Sequence, residues 1–287
     1  MKKKILPNKF FKIFAIQIAL ITGSFIFAYY PVFASLVKTW ANSEDYSHAF
    51  FIIPISIYFT LEHKEVIKTN YFNKKFSTAG FIFFILSTLV YIFSISAKIY
   101  TLSSIALVLS LICLTWTLTG KESIKTIAFS LFFLFLMIPI PSQIYSSATI
   151  PLQLIVTDIS AIAIKSLNIP LFQQGNTLHL PDTTLQVVEA CSGLRSIISL
   201  FTLSIIFGHI HHNTIKEKLI LASTTVPIAI FINILRITVM VISLYYFKID
   251  LTEGSLHTYF GLIIFTLSIL LMLLSSKFIY YLNNRIS

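Results

Sequence analysis

Arg236 is the first residue whose type and position suggest chemistry. It interrupts an otherwise apolar run toward the C-terminal end of the chain, and charged groups inside a membrane span are costly and usually functional. Asn233 precedes it by three residues, so the two side chains project from one face of a helix. Two placements follow: Arg236 extends to the outer interface along its aliphatic stem, or the pair faces a ligand or the interior of a helix bundle. The prediction is that the Asn233–Arg236 pair faces a ligand or the interior of the bundle.

Cys191 is the second such residue, at the start of another apolar run, and Ser192 after it is a suitable helix N-cap. A thiol at a helix N-terminus, near the positive charges of Arg195 and Arg236, gains thiolate character. The alternative is a small buried cysteine without a chemical role. The other cysteine, Cys113, lies about 20 Å deeper by the rise of a helix. A disulfide between the two is therefore not expected, and Cys191 is predicted to be a free thiol.

His257 is the third residue, at the start of the last apolar run. By itself such a histidine fits a helix cap or an interfacial position. Together with Cys191 and Arg236 it completes a set of a thiol nucleophile, a fixed cation and a group that gives and takes protons. Acyl transfer uses these three components. We therefore predict that three helices bring the three side chains to the same depth in the membrane.

Other histidines give weaker signals. His48 stands at the start of the second apolar run and is predicted to support the catalytic set or to act as a plain helix cap. His209, His211 and His212 resemble a metal site only by composition, because no carboxylate or cysteine follows at ligand spacing. A solvated loop is the prediction for these three, and the sequence indicates no metal site and no cofactor.

The composition excludes a soluble protein. Of the 287 residues, 56% are hydrophobic and only 11% are charged, whereas soluble domains carry about 25% charged residues. The net charge is +10, but the basic residues lie between apolar runs and form no stripe, so no nucleic-acid partner is expected.

The apolar runs predict an all-α integral membrane protein with about eight transmembrane helices in a single polytopic domain, residues 1–287. A bilayer core of about 30 Å needs about 20 apolar helical residues. The predicted spans are residues 13–33, 47–61, 77–97, 100–119, 124–140, 194–210, 219–243 and 257–277. Two prolines end the fifth span.

The stretch between the fifth and sixth spans is predicted to lie outside the bilayer core. Residues 148–167 carry Gln153, Asp158 and Lys165, which suits a segment at the interface. Residues 168–190 hold two turn signals around alternating segments, which predicts a small β-hairpin outside the bilayer.

The distribution of Lys and Arg predicts the orientation. With both termini inside, 15 of the 21 basic residues lie on the cytoplasmic side and 4 on the other, as the positive-inside rule requires. A ninth span at residues 148–167 would invert everything after it, so the interfacial placement is preferred. The lysine-rich start also resembles a signal peptide, but its apolar run is longer than usual.

Several of these residues together resemble the exosortase/archaeosortase family. The string EACSGLRS at residues 189–196 is similar to that family's signature, as are Asn233-x-x-Arg236 and His257 with Gly261. The string DYSH at residues 45–48, and a Gly-Asn turn with a following proline before Cys191, also resemble it. The resemblance covers most of the chain, in the right order.

The resemblance implies a polytopic cysteine protease and transpeptidase of a prokaryotic cytoplasmic membrane, with its active site on the extracytoplasmic side. It assigns catalysis to Cys191, Arg236 and His257. The supporting residues are Asn233, Arg195, Ser192, Glu189 and His48. The implied partners are secreted proteins that end in a short motif, a transmembrane helix and a basic cluster, together with membrane lipid and an exopolysaccharide or lipid acceptor.

Two rival classes need no nucleophile. A transporter would use Arg236 to hold an anionic substrate, and an accessory protein of polysaccharide export would use the helices as a scaffold. Against the transporter, the sequence lacks two similar halves with paired broken helices.

Overall fold

Apolar sequence forms helix through most of the chain, because a backbone inside a membrane must satisfy its own hydrogen bonds. The computed structural model describes residues 8–73, 76–181, 183–187, 194–252 and 254–286. The chain divides into two units, Met1–Ile140 and Pro141–Ser287.

The regular elements described in the first unit are all helices or 3₁₀ turns. Its elements are α1 (Asn8–Ala28), α2 (Tyr30–Asn42), a 3₁₀ turn (Glu44–Tyr46), α3 (Ala49–Glu62), α4 (Lys64–Asn73), α5 (Thr78–Ser96), α6 (Tyr100–Thr119), α7 (Lys121–Thr126), α8 (Ala128–Phe133) and a second 3₁₀ turn (Leu134–Met137).

Small residues allow α5 and α6 to pack closely. Gly80, Ser87 and Ser94 are buried on α5 at intervals of seven residues, which places them on one side of the helix. A Cβ atom on Gly80 would come within 2.8 Å of the backbone nitrogen of Thr117 on α6. This close approach is typical of helix pairs in membranes, and the pair matches the spans predicted at residues 77–97 and 100–119.

The span predicted at residues 13–33 is bent. Helices α1 and α2 meet at 70°, and Tyr29 lies at the break with only 2% of its surface exposed. The Tyr29 hydroxyl donates to Ser110 Oγ at 2.6 Å, and Ser110 donates to Ser87 Oγ at 2.9 Å. This hydrogen-bond chain ties the bend to α5 and α6.

Residues 124–140 do not form one continuous helix of the kind expected for the span that the sequence predicts there. They form parts of α7 and α8 and the 3₁₀ turn, and the apolar stretch Ala128–Met137 has only 10 residues. Side chains from earlier elements bind the freed backbone: Trp40 Nε1 donates to the Met137 carbonyl at 3.0 Å, and the Tyr46 hydroxyl accepts from Ile140 N at 3.1 Å. Prolines 139 and 141 explain why no regular helix forms there.

The described part of the second unit combines four long helices with a small sheet. Its elements are α9 (Ser142–Ser166), β1 (Phe172–Gln174), β2 (Thr177–His179), β3 (Thr184–Gln186), α10 (Leu194–His211), α11 (Ile215–Phe247) and α12 (Gly254–Ile286). Helix α9 is continuous over 25 residues and has the length and composition of a membrane span. These properties differ from the interfacial segment predicted at residues 148–167.

The sheet confirms the predicted hairpin and adds a strand. Strands β2 and β3 pair antiparallel with Leu178 opposite Leu185, and β1 pairs with the other edge of β2. Gly175, at φ +60°, begins the two-residue turn between β1 and β2, a position that favours glycine. Leu178 and Leu185 pack against buried residues of α9 and α11, including Val156 and Met240.

The fold class is confirmed as an all-α membrane protein apart from this sheet. In the described ranges, six helices are long and apolar enough to cross a membrane, and the bent α1–α2 pair is a seventh candidate. The count of eight spans and the N-in/C-in orientation stay predictions.

Candidate active site

Arg236 and His257 are in direct contact. The Arg236 Nη2 atom lies 3.1 Å from His257 Nε2, and His257 Nδ1 lies 3.0 Å from the Leu251 carbonyl oxygen. A carbonyl only accepts and a guanidinium only donates. The two bonds therefore fit a neutral imidazole that carries its proton on Nδ1 and accepts from Arg236 at Nε2.

Helix α11 directs Arg236 into the protein. The helix starts with a capping box in which Thr214 and Glu217 satisfy each other's backbone N–H groups. Asn233 is only 4% exposed and Ile237 is buried, and Arg236 lies between them, half-buried. The structure therefore supports the inward placement of the Asn233–Arg236 pair over extension to the interface.

Arg236 has a further donor available. Within the ranges that the structure describes, its Nε atom is buried and has no hydrogen-bond partner. A buried donor without an acceptor costs about 1–3 kcal/mol, so its presence needs an explanation. This N–H can donate to a carbonyl oxygen, an oxyanion or a thiolate brought to it.

Helix α12 supplies His257 from its first turn. Gly261 follows one turn later on the same face. A Cβ atom at Gly261 would lie 4.0 Å from Arg236 Nη2, so the glycine borders the guanidinium. The His257–Gly261 pair noted in the sequence thus faces Arg236.

The loop between α11 and α12 holds the Leu251 carbonyl that His257 binds. Lys248 ends α11 with φ +56°, and Ser243 Oγ donates to the Ile249 carbonyl at 3.1 Å. Asp250 Oδ1 accepts from the Thr252 backbone N–H at 2.7 Å and from its hydroxyl at 2.5 Å. The Thr252 hydroxyl and backbone N–H lower the pKa of Asp250 below its ordinary value. Sequence reasoning missed this loop because a backbone carbonyl has no side-chain signature, although Asp250-x-Thr252 is a recognisable turn pattern.

The predicted nucleophile lies outside the residues that the structure describes. Cys191, Ser192 and Glu189 lie outside the described residues. Arg195 lies in the first turn of α10, half-buried, and Cys113 is a free thiol in α6. The structure therefore brings together Arg236 and His257 of the predicted set, with Asn233 beside Arg236.

His48 belongs to the first unit and makes a local contact. Its Nδ1 atom lies 3.1 Å from the Asp45 carbonyl. The ring makes no capping hydrogen bond to α3, so the simple cap is not what the structure shows. Its support of the catalytic set stays a prediction.

His212 corrects the prediction of a solvated histidine loop. It is 3% exposed, and its Nε2 atom lies 2.8 Å from Ser276 Oγ. Its Nδ1 atom lies 3.5 Å from Glu217 Oε2, and Asn283 donates to the other oxygen of that carboxylate. Among the described residues, no group of three or more His, Cys, Asp or Glu side chains could hold a metal.

These features first define a class: a polytopic membrane protein that keeps an arginine–histidine pair inside its second unit. Residues 40–274 match the family of transmembrane exosortases, and because this is more than half of the chain, the chain belongs to that family. The family is one of membrane cysteine peptidase-like proteins. No curated protein and no solved structure gives a significant match.

Proposed function

We propose that the chain is an exosortase-like cysteine protease and transpeptidase. It cleaves C-terminal sorting signals from secreted proteins and transfers the proteins to a surface acceptor. The observation that carries the proposal is the contact between Arg236 and His257. These residues come from different helices and are 21 positions apart in the chain. The sequence analysis predicts both as catalytic from their types and positions. Family membership adds the cysteine peptidase character.

Cys191 is the proposed nucleophile. It precedes Leu194, the first residue of α10, by three positions, so the chain allows it at most about 11 Å from that residue. Helix α10 packs against α11, which carries Arg236. In this proposal Ser192 caps α10, and Arg195 supplements the positive field at Cys191 or pairs with Glu189.

His257 is the proposed proton carrier. Its Nε2 atom takes the Cys191 thiol proton, while Nδ1 keeps its bond to the Leu251 carbonyl. The thiolate then attacks the scissile carbonyl carbon, and Arg236 donates to the oxyanion. When this intermediate collapses, the C–N bond breaks, a thioester forms, and Nε2–H protonates the leaving amine.

The second half of the reaction reverses these roles. An amine of the acceptor attacks the thioester, His257 Nε2 takes the amine proton, and the Cys191 thiolate leaves and is protonated again. Water in place of the amine gives hydrolysis. Asn233 orients Arg236 or adds a donor.

The membrane determines the substrate class in this proposal. The substrate's own transmembrane helix packs laterally against the bundle, so a short motif at its outer end reaches the site. We place the enzyme in a prokaryotic cytoplasmic membrane with the site on the extracytoplasmic side. The acceptor is an exopolysaccharide or a lipid.

Substitution of the nucleophile tests the proposal. In cells that secrete proteins with a C-terminal motif, helix and basic end, Cys191→Ala and Cys191→Ser should leave the precursors uncleaved in the membrane. Cys113→Ala is the matched control and should process them normally, because Cys113 lies in α6 of the first unit. Immunoblots show precursor size and the amount of enzyme. Normal processing by both Cys191 variants would refute the cysteine mechanism and favour a transporter or scaffold.

A further inference from the structure

We propose that Asp250 is a positioning residue for His257: its hydrogen bonds to Thr252 hold the Leu251 carbonyl against Nδ1. That His257 takes part in catalysis rests on the proposed function. Which nitrogen of the His257 ring carries the proton can be measured without any cleavage reaction. The sequence analysis assigns no role to Asp250.

The loop is attached at its first end by Ser243. The Ser243 carbonyl accepts from the backbone N–H groups of Lys248 and Ile249, the latter at 3.2 Å. Its hydroxyl donates to the Ile249 carbonyl at 3.1 Å. The N–H and the carbonyl of Ile249 are therefore both bonded to Ser243 in α11, and this fixes the direction in which the chain enters the loop.

Asp250 holds the part of the loop that follows Ile249. One carboxylate oxygen accepts both the backbone N–H and the hydroxyl of Thr252, and this closes a turn around Leu251. The Leu251 carbonyl is the group that receives His257 Nδ1–H at 3.0 Å. Because the Asp250 side chain is exposed, these local bonds have to supply order that burial does not.

The proton position on His257 matters because of Arg236. With the proton on Nδ1, Nε2 presents its lone pair to the guanidinium, as the 3.1 Å contact requires. With the proton on Nε2, two donors would face each other, and Nε2 could not accept a proton from a thiol. A carbonyl held against Nδ1 excludes the second form.

The test is ¹⁵N NMR of protein labelled at histidine and reconstituted in nanodiscs. His257→Gln identifies the His257 signals among those of the 7 histidines. We expect wild-type His257 to be protonated at Nδ1, with slow exchange of that proton with water. Asp250→Ala removes both hydrogen bonds from Thr252, so the exchange should accelerate about fivefold or more, because exchange reports how often the local structure opens.

Asp250→Asn separates geometry from charge. The amide oxygen can still accept both bonds from Thr252, so we expect wild-type exchange. Asp158→Ala is the matched control, since it removes an exposed carboxylate that binds Gln173 elsewhere in the same unit. If Asp250→Ala does not fold, Thr252→Val removes the hydroxyl donor alone and should give a smaller acceleration.

Three results would overturn the inference: wild-type His257 protonated at Nε2, unchanged exchange in Asp250→Ala, or equal acceleration in Asp250→Asn and Asp250→Ala. None of them depends on cleavage. A wild-type protein with the expected NMR signals but no Cys191-dependent processing would refute the proposed function and leave this positioning role intact.

Discussion

At the scale of single residues, Arg236 holds His257 with one nitrogen and keeps another N–H available. A lysine presents all its donors from one nitrogen, so it could not bond His257 through one nitrogen and offer an N–H from another, as a planar guanidinium does. The position of this guanidinium therefore depends on the space around it as well as on its charge. Gly261 forms part of that environment.

Gly261→Leu tests the space around Arg236. A Cβ atom alone would lie in ordinary contact with Nη2, at 4.0 Å, so Gly261→Ala should retain cleavage. A leucine must displace the guanidinium, and overpacking costs about 1–3 kcal/mol, so we expect cleavage of the precursor to slow about tenfold or more. Processing rates from pulse-chase labelling give the measurement.

Gly23→Leu provides the matched control for this prediction. Among the described residues, no atom outside the neighbouring backbone of α1 lies within 4 Å of a Cβ at Gly23, so this substitution should leave processing unchanged. Equal rates for Gly261→Leu and wild type would show that Gly261 does not constrain Arg236.

Sequence reasoning found the ionisable residues of the site but not their backbone partner. Arg236 and His257 were detectable because charged and titratable side chains at the end of an apolar run are unusual. The Leu251 carbonyl is chemically the same as every other carbonyl in the chain. The Asp250-x-Thr252 pattern marks the turn that contains it, but only the folded loop shows that this carbonyl accepts from His257.

At the scale of helices, the polar cluster at the other end of α11 joins three helices. His212 follows α10, Glu217 starts α11, and Ser276 and Asn283 lie on α12. His212 and Glu217 are buried. Buried polar groups stabilise a fold only when they are paired.

His212→Ala should therefore destabilise the second unit. The substitution leaves Ser276 and Glu217 without a histidine partner, and we expect a loss of about 1–3 kcal/mol in the free energy of unfolding. His211→Ala, at an exposed neighbouring position, should cost less. Thermal unfolding of the detergent-solubilised proteins measures both, and equal melting temperatures would exclude this role for His212.

The regular helices were predictable and the interrupted ones were not. Spans expected at residues 77–97, 100–119 and 194–210 agree closely with α5, α6 and α10, because a continuous apolar run determines such a helix. The bend at Tyr29 depends on hydrogen bonds to Ser110, 81 residues away. Tertiary contacts of this kind leave no periodic signal in the local sequence.

At the scale of the whole molecule, two arrangements place the sheet on the same side of the membrane. In one, residues 124–140 cross and α9 lies at the interface. In the other, the 10 residues Ala128–Met137, about 15 Å long, do not cross, and α9 does. The two arrangements differ in which segment crosses the membrane, and therefore in the side of the membrane on which α9 begins.

We expect the second arrangement, because α9 spans about 37 Å and Ala128–Met137 reaches only half of a bilayer core. In a chain without its native cysteines, Ser166→Cys should react with a membrane-impermeant maleimide added to intact cells, and Ser142→Cys should not. Reaction at both positions would instead support the span predicted from the sequence at residues 124–140.

Under the proposed function, the length of α11 bears on where a substrate would be cut. Arg236 follows Ile215 by 21 residues, a rise of about 32 Å, which is close to the thickness of a bilayer core. If the lysine-bearing start of α11 lies at one membrane surface, the guanidinium lies at the level of the other. A substrate held by its own helix presents only the few bonds next to that helix at this level. Under the proposed function, the distance from the membrane surface would then set the cleavage point.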